Sequence, residues 1–161
     1  MMSSRTTSLL IFAFFFLISS SVTTAFHITR ILRKYPEFSA YNHYLIKTNL
    51  QRQIDRQPNI TILAVDNKAI SSISKKPMKV IKNILSLHVL HDYYDVEKLA
   101  SMVNEGEIAF GSAALDSGLT VKLVKPVLSH PDIISVLQIT APIIAPGIGA
   151  SSPVKVPASD N

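Results

Sequence analysis

His88 and His91 stand three residues apart and Asp92 follows, the one place in the sequence where side chains have metal-ligand spacing. Two imidazoles at that interval on a helix can share a face, and the carboxylate would add a third ligand. His88, however, closes an apolar stripe made by Met78, Ile81, Ile84 and Leu85. At the end of such a stripe a histidine is expected inside, with its ring nitrogens bonded to backbone. The pattern is therefore read as structural, and neither a metal nor a cofactor is expected. Asp66 follows the apolar run Ile60-Thr-Ile-Leu-Ala-Val65 and is a conceivable base at a strand end. A helix N-cap accounts for it more simply, because a carboxylate there accepts from the backbone N–H groups of the next turn. The serines lack nucleophile-elbow spacing, the acidic residues are scattered rather than paired, and cysteine is absent. No catalytic residue is assigned, and the chain is expected not to be an enzyme.

Modification and surface charge carry more information. One Asn-x-Thr sequon occurs, Asn59-Ile60-Thr61, directly after Pro58, where a turn should expose Asn59 for N-glycosylation. Residues 26 to 82 hold 11 basic and 3 acidic side chains, net +8, whereas 83 to 161 hold 4 and 8, net −4. Within the basic half, Arg30, Arg33 and Lys34 lie between the apolar positions Ile28, Ile31 and Leu32 and should face solvent. They are the expected contact for a polyanion such as a pectin-like polysaccharide; an ordinary solvated helix face is the competing account. The formal charge of +5 mixes 16 basic with 11 acidic residues and gives no nucleic-acid signature.

The elements that must position these groups fit one domain in 161 residues. Residues 1–25 read as a signal peptide, with Arg5 as the positive region, an apolar run from Leu9 to Ile18, and small residues through Thr23 and Ala25. Cleavage after Ala25 gives a mature chain from Phe26, in which no further segment is apolar enough to span a membrane. Helices are expected from Phe26 to Tyr35, on the stripe Phe38, Tyr41, Leu45 and Thr48, from Asp66 through Ile73, from Pro77 toward His88, and from Asp95 through Met102. Strands are expected at Ile60–Val65, Ile108–Phe110, Leu119–Val124 and Ile133–Ile139. Helices crowd the first half and strands the second, which predicts an α+β fold with a small, largely antiparallel sheet over residues 26–140. Residues 141–161, rich in proline, alanine and serine, read as a disordered tail. The sequence stops at Ala158-Ser-Asp-Asn161 without an apolar stretch, so no lipid-anchor signal is expected from it.

Four blocks together resemble the fasciclin domain, and more closely the fasciclin-like arabinogalactan proteins of plants. His27-Ile-Thr-Arg-Ile-Leu to Tyr35-Pro-Glu-Phe-Ser, with Tyr41-Asn-His-Tyr-Leu, resembles the first two helices of that domain. Ile60-Thr-Ile-Leu-Ala-Val-Asp-Asn-Lys-Ala-Ile70 is similar to its first signature strand and helix, and Lys82 to Tyr94 to its central box, with His88 at the histidine position. Asp132 to Pro146 resembles the second signature strand and the exit into a proline-rich region. Two features depart from the family: the opening helix has His27-Ile28-Thr29 where relatives commonly carry a sequon, and Val103-Asn-Glu-Gly106 is shorter than the usual connection by about one or two strands with their turns. The resemblance implies a non-enzymatic adhesion glycoprotein of the cell surface or wall, whose partners are wall polysaccharide or other surface proteins. It also implies hydroxyproline-linked glycan at Pro142, Pro146 and Pro153. A secreted hydrolase or inhibitor-like domain, which would need a convergent polar site, and a truncated non-functional paralogue are the alternatives.

Overall fold

The computed structural model describes residues 26–103, 106–115 and 118–148. The expected signal peptide, the centre of the short connection after Val103, and Pro153 lie outside the described residues. The chain opens with helix α1 (Ile28–Leu32), whose Ile28 and Leu32 are buried while Arg30 and Arg33 face out. Proline at 36 stops it, since a ring in place of the N–H cannot continue the helix. A 3₁₀ turn (Pro36–Phe38) leads into α2 (Ser39–Lys47), which packs against α1, α3 (Leu50–Ile54), α4 (Asn67–Ile70) and α5 (Met78–Ser86) and so forms the hub of the helical layer. Helix α3 was not foreseen; Asn49 starts it in the left-handed region at φ 59°, a conformation asparagine tolerates.

Among the described residues five strands form one sheet in the order β2-β1-β5-β4-β3. Strand β1 (Ile60–Ala64) and β5 (Ile134–Ile139) run parallel at its centre, and every residue of both is buried, as covered faces require. The other three pairings are antiparallel: β2 (Val89–Leu90) on β1, β4 (Val121–His130) on β5, and β3 (Ala109–Phe110) on β4. Helix α6 (Val96–Met102) connects β2 to β3. The α+β expectation holds, with one strand, β2, that the sequence pattern did not show.

Helix α1 ends at Leu32, short of the expected Tyr35, and two further boundaries differ more. Strand β4 runs on to His130, through Pro126, instead of ending at Val124. Its register with β5 shifts on both sides of that proline, and β3 covers only Val121 and Lys122, so the missing N–H falls where no ladder bond is demanded. The expected tail from 141 likewise begins within the packed domain. Pro142 and Ile143 are buried, Ile143 belongs to the main apolar cluster, and Ile148 packs against it. That cluster also takes in Phe38, Tyr41 and Leu45 from the helical layer with Ile62, Leu63, Val136 and Leu137 from the sheet, which joins the two layers into one core.

Candidate functional site

His88 emerges from the C-terminal end of α5 with its side chain fully buried. Nδ1 lies 2.8 Å from the Leu63 carbonyl, and Nε2 lies 3.0 Å from the Ile143 amide. Only one tautomer satisfies both: Nδ1–H donates to Leu63, and Nε2 accepts from Ile143. The backbone of His88 returns the contact, its carbonyl accepting from the Leu63 N–H at 2.9 Å. One side chain thus ties β1, the end of α5 and the segment following β5. Burial lowers the His88 pKa to about 4, partly opposed by the bond to Leu63, so the ring is neutral. Tyr41 lies beside it, ring centres 6.1 Å apart, and burial raises the phenol pKa.

His91 is exposed and does not join His88. No group of three or more metal-ligating side chains occurs among the described residues. Asp92 serves the loop instead: Oδ1 accepts from the Tyr93 N–H at 2.7 Å and Oδ2 from Lys98 Nζ at 3.4 Å. The Tyr93 amide first, then Lys98, hold its carboxyl below the usual range. Asp66 is a cap: Oδ1 accepts from the Ala69 N–H at 2.7 Å, and Oδ2 receives Gln138 Nε2 at 3.4 Å from β5. Asp95 caps α6 in the same way, through the Lys98 N–H at 2.8 Å.

Asn59 is half-buried just before β1, its Nδ2 3.4 Å from Asp92 Oδ1. The sequon threonine has a full structural occupation. Thr61 is completely buried, donates to the Asp92 carbonyl at 2.9 Å and accepts from the Tyr94 N–H at 2.7 Å, which pins the Asp92–Tyr94 loop to β1. Arg30, Arg33 and Lys34 are exposed together at α1 and its exit, and none takes part in the ion pairs found among the described residues. Pro142 is buried, whereas Pro146 is exposed.

Sequence reasoning missed two polar side chains that position this surface. Asp55, at the end of α3, accepts from the Ile28 N–H at 2.9 Å and meets His27 Nδ1 at 3.2 Å, capping α1 from 27 residues away. Asn67 does the same for α2: Oδ1 accepts from the Ala40 N–H at 2.9 Å, and Nδ2 donates to the Pro36 carbonyl at 3.0 Å. No local pattern announces either.

No protein-family model matches the chain. Fasciclin-like arabinogalactan protein 3 of Arabidopsis thaliana is 39% identical over 165 residues, covering 86% of this chain and 58% of its own length. Since 86% of 161 is about 138 residues, that alignment includes positions for which this chain has no counterpart. Fasciclin-like arabinogalactan protein 8 is 37% identical, and the chain spans 42% of it, so it matches only about half the length of such relatives. Fasciclin-like arabinogalactan protein 14 is 36% identical over 94% of this chain and 71% of that protein. Among solved structures, a FAS1 domain pair from the insect cell adhesion molecule fasciclin I superposes with a TM-score of 0.53 at 14% identity, over 68% of this chain and 46% of that one. The fold is that of a fasciclin (FAS1) domain, and the chain belongs to the fasciclin-like arabinogalactan protein family.

Proposed function

We propose that this chain is an exported, non-enzymatic adhesion glycoprotein of the cell surface or wall, and that it holds acidic polysaccharide through the exposed face of α1. The observation that carries the polysaccharide contact is the sorting of α1: Ile28 and Leu32 are buried, while Arg30, Arg33 and Lys34 stand in solvent outside any ion pair among the described residues. In the second half, by contrast, Lys122 pairs with Glu107, and Lys125 lies 3.9 Å from Glu37. Uncompensated charges attract a polyanion, with an affinity that salt screens over about 8 Å at physiological ionic strength.

The test is retention on immobilised polygalacturonate at two salt concentrations. Replacing Arg30, Arg33 and Lys34 together is expected to shorten retention at low salt without lowering the melting temperature. Replacing Lys122, Lys125 and Lys155 serves as the control and is expected to change little. Equal retention of the parent and both variants would remove the polysaccharide contact. Export has its own test: the mature chain is expected to begin at Phe26, and a secreted product that retains residues 1–25 would contradict it. The expected glycans are N-linked at Asn59 and hydroxyproline-linked at Pro146 and Pro153, with Asn59→Gln removing all of the N-glycan mass.

A further inference from the structure

Residues 26 to 91 hold 11 lysines and arginines and three carboxylates, Glu37, Asp55 and Asp66. Each carboxylate is already engaged. Glu37 lies 3.9 Å from Lys125, Asp55 takes the Ile28 N–H and His27, and Asp66 takes the Ala69 N–H and Gln138. None of the 11 cations joins an ion pair among the described residues. The helical layer thus carries positive charge that the molecule itself does not neutralise, and α1 accounts for only part of it.

Lys68, Lys75, Lys76 and Lys79 are all exposed, and between Asn67 and His91 the sequence has no acidic residue. Lys68 lies in α4, and the other three follow after a tight 3₁₀ turn (Ser71–Ile73), held by the Ser74 N–H on the Ser71 carbonyl and the Lys76 N–H on the Ile73 carbonyl. Lys79 stands in solvent at the start of α5, whose Ile81, Ile84 and Leu85 are buried. Asn67 joins this lysine segment to α1. Its Nδ2 donates to the Pro36 carbonyl at 3.0 Å, and its Oδ1 accepts from the Ala40 N–H at 2.9 Å. Pro36 comes two residues after Lys34, and Asn67 directly precedes Lys68. The basic residues of α1 and the four lysines therefore border one hydrogen-bonded joint.

We propose that the acidic polysaccharide runs on from α1 across the Pro36–Asn67 joint onto Lys68, Lys75, Lys76 and Lys79, so that the domain selects long polyuronate chains over short fragments. The inference rests on the α1 contact proposed above. A chain long enough to reach both basic sets binds through two linked contacts, the second made at high effective concentration, whereas a fragment that reaches one set gains nothing from the other. Exposed lysines on flexible stems suit this use, because each holds a carboxylate as a point charge without demanding a fixed geometry.

Titration of the full chain with galacturonate oligomers of graded length at low salt tests this. The affinity of the parent is expected to rise by about tenfold or more once the oligomer is long enough to reach both sets. A variant carrying Lys75→Gln, Lys76→Gln and Lys79→Gln is expected to lose that rise, so that it binds long chains little more tightly than short ones, with an unchanged melting temperature. Replacing Arg30, Arg33 and Lys34 is expected to remove the rise as well, since either set alone leaves a single contact. A lysine variant that binds long chains like the parent, beside an α1 variant that is weakened, would overturn the extended track and leave the α1 contact standing. An α1 variant that binds like the parent would remove the α1 contact and the track with it. A parent held by phosphatidylserine vesicles and not by polygalacturonate would also overturn the proposal, and would assign the lysines to a lipid surface.

Discussion

His88 has no room for a second proton. Nδ1–H is committed to the Leu63 carbonyl, and Nε2 must present a lone pair to the Ile143 N–H, so protonation sets two donors against each other inside the core. Its pKa falls from 6.5 in the unfolded chain to about 4 in the fold. The unfolded state therefore binds the extra proton between those values, and the stabilisation is complete above pH 6.5, declines as pH falls toward 4, and is constant below. The ring resonances of His88 are expected to titrate near pH 4; a midpoint at 6 or above would contradict the burial argument. Truncation by His88→Ala leaves the Leu63 carbonyl and Ile143 amide unpaired beside a cavity and is expected to cost about 3 kcal/mol, with chelator leaving the parent's melting temperature unchanged. Thr61 separates modification from folding in the same residue-by-residue way. Thr61→Val and Asn59→Gln both destroy the sequon, yet only the first removes the hydroxyl that bonds to the Asp92 carbonyl and the Tyr94 N–H. Thermal unfolding of enzymatically deglycosylated protein is expected to show a loss of about 1–3 kcal/mol for Thr61→Val and little for Asn59→Gln; equal losses would deny Thr61 its structural role.

At the scale of elements, what was legible in the sequence is what local periodicity and local capping decide. Ile60-Thr-Ile-Leu-Ala64 is β1, the stripe Ile81, Ile84 and Leu85 faces inward from α5, and Asp66 and Asp95 cap the turns that follow them. What was hidden rests on contacts between distant residues. Strand β2 is two residues long and exists by its pairing with Thr61 and Ile62, β4 continues past a proline because its register can slip there, and α1 is capped by Asp55 rather than by His27. The polar site follows the same division: the inward turn of His88 was readable from its stripe, whereas its second partner, Ile143, lies 55 residues away in a segment whose prolines suggested disorder. The remote cap makes an element-scale prediction. Asp55→Ala strips the Ile28 N–H of its acceptor and is expected to cost about 1 kcal/mol, while Asp55→Asn, which keeps a side-chain oxygen, should cost less. Hydrogen exchange is expected to quicken first at the amides of α1, and exchange that quickens uniformly over the domain would argue against a local cap.

For the whole molecule, the decisive question is where the domain stops, because the segment beyond β5 was assigned to the tail by composition and yet closes the core. A chain cut after Thr140 loses Pro142 and Ile143, both buried, together with the N–H that His88 Nε2 accepts from. Burial of one isoleucine is worth roughly 1.5–3 kcal/mol, and an unpaired buried imidazole nitrogen adds roughly 1 kcal/mol or more. A total of about 3–4 kcal/mol would lower the melting temperature of a domain this size by roughly 10 °C or more. A chain cut after Ile148 keeps every one of these contacts and is expected to melt within about 2 °C of the full chain. The pair of truncations also distinguishes packing from chain length, since they differ by only eight residues of similar composition. If both melted alike, Ile143 would be a passenger on a core already complete at Ile139, and the His88 bond to it would add nothing to stability. If only the shorter chain is weakened, and His88→Ala causes little further loss in it, then the histidine and the segment after β5 act as one unit, as their shared hydrogen bond requires.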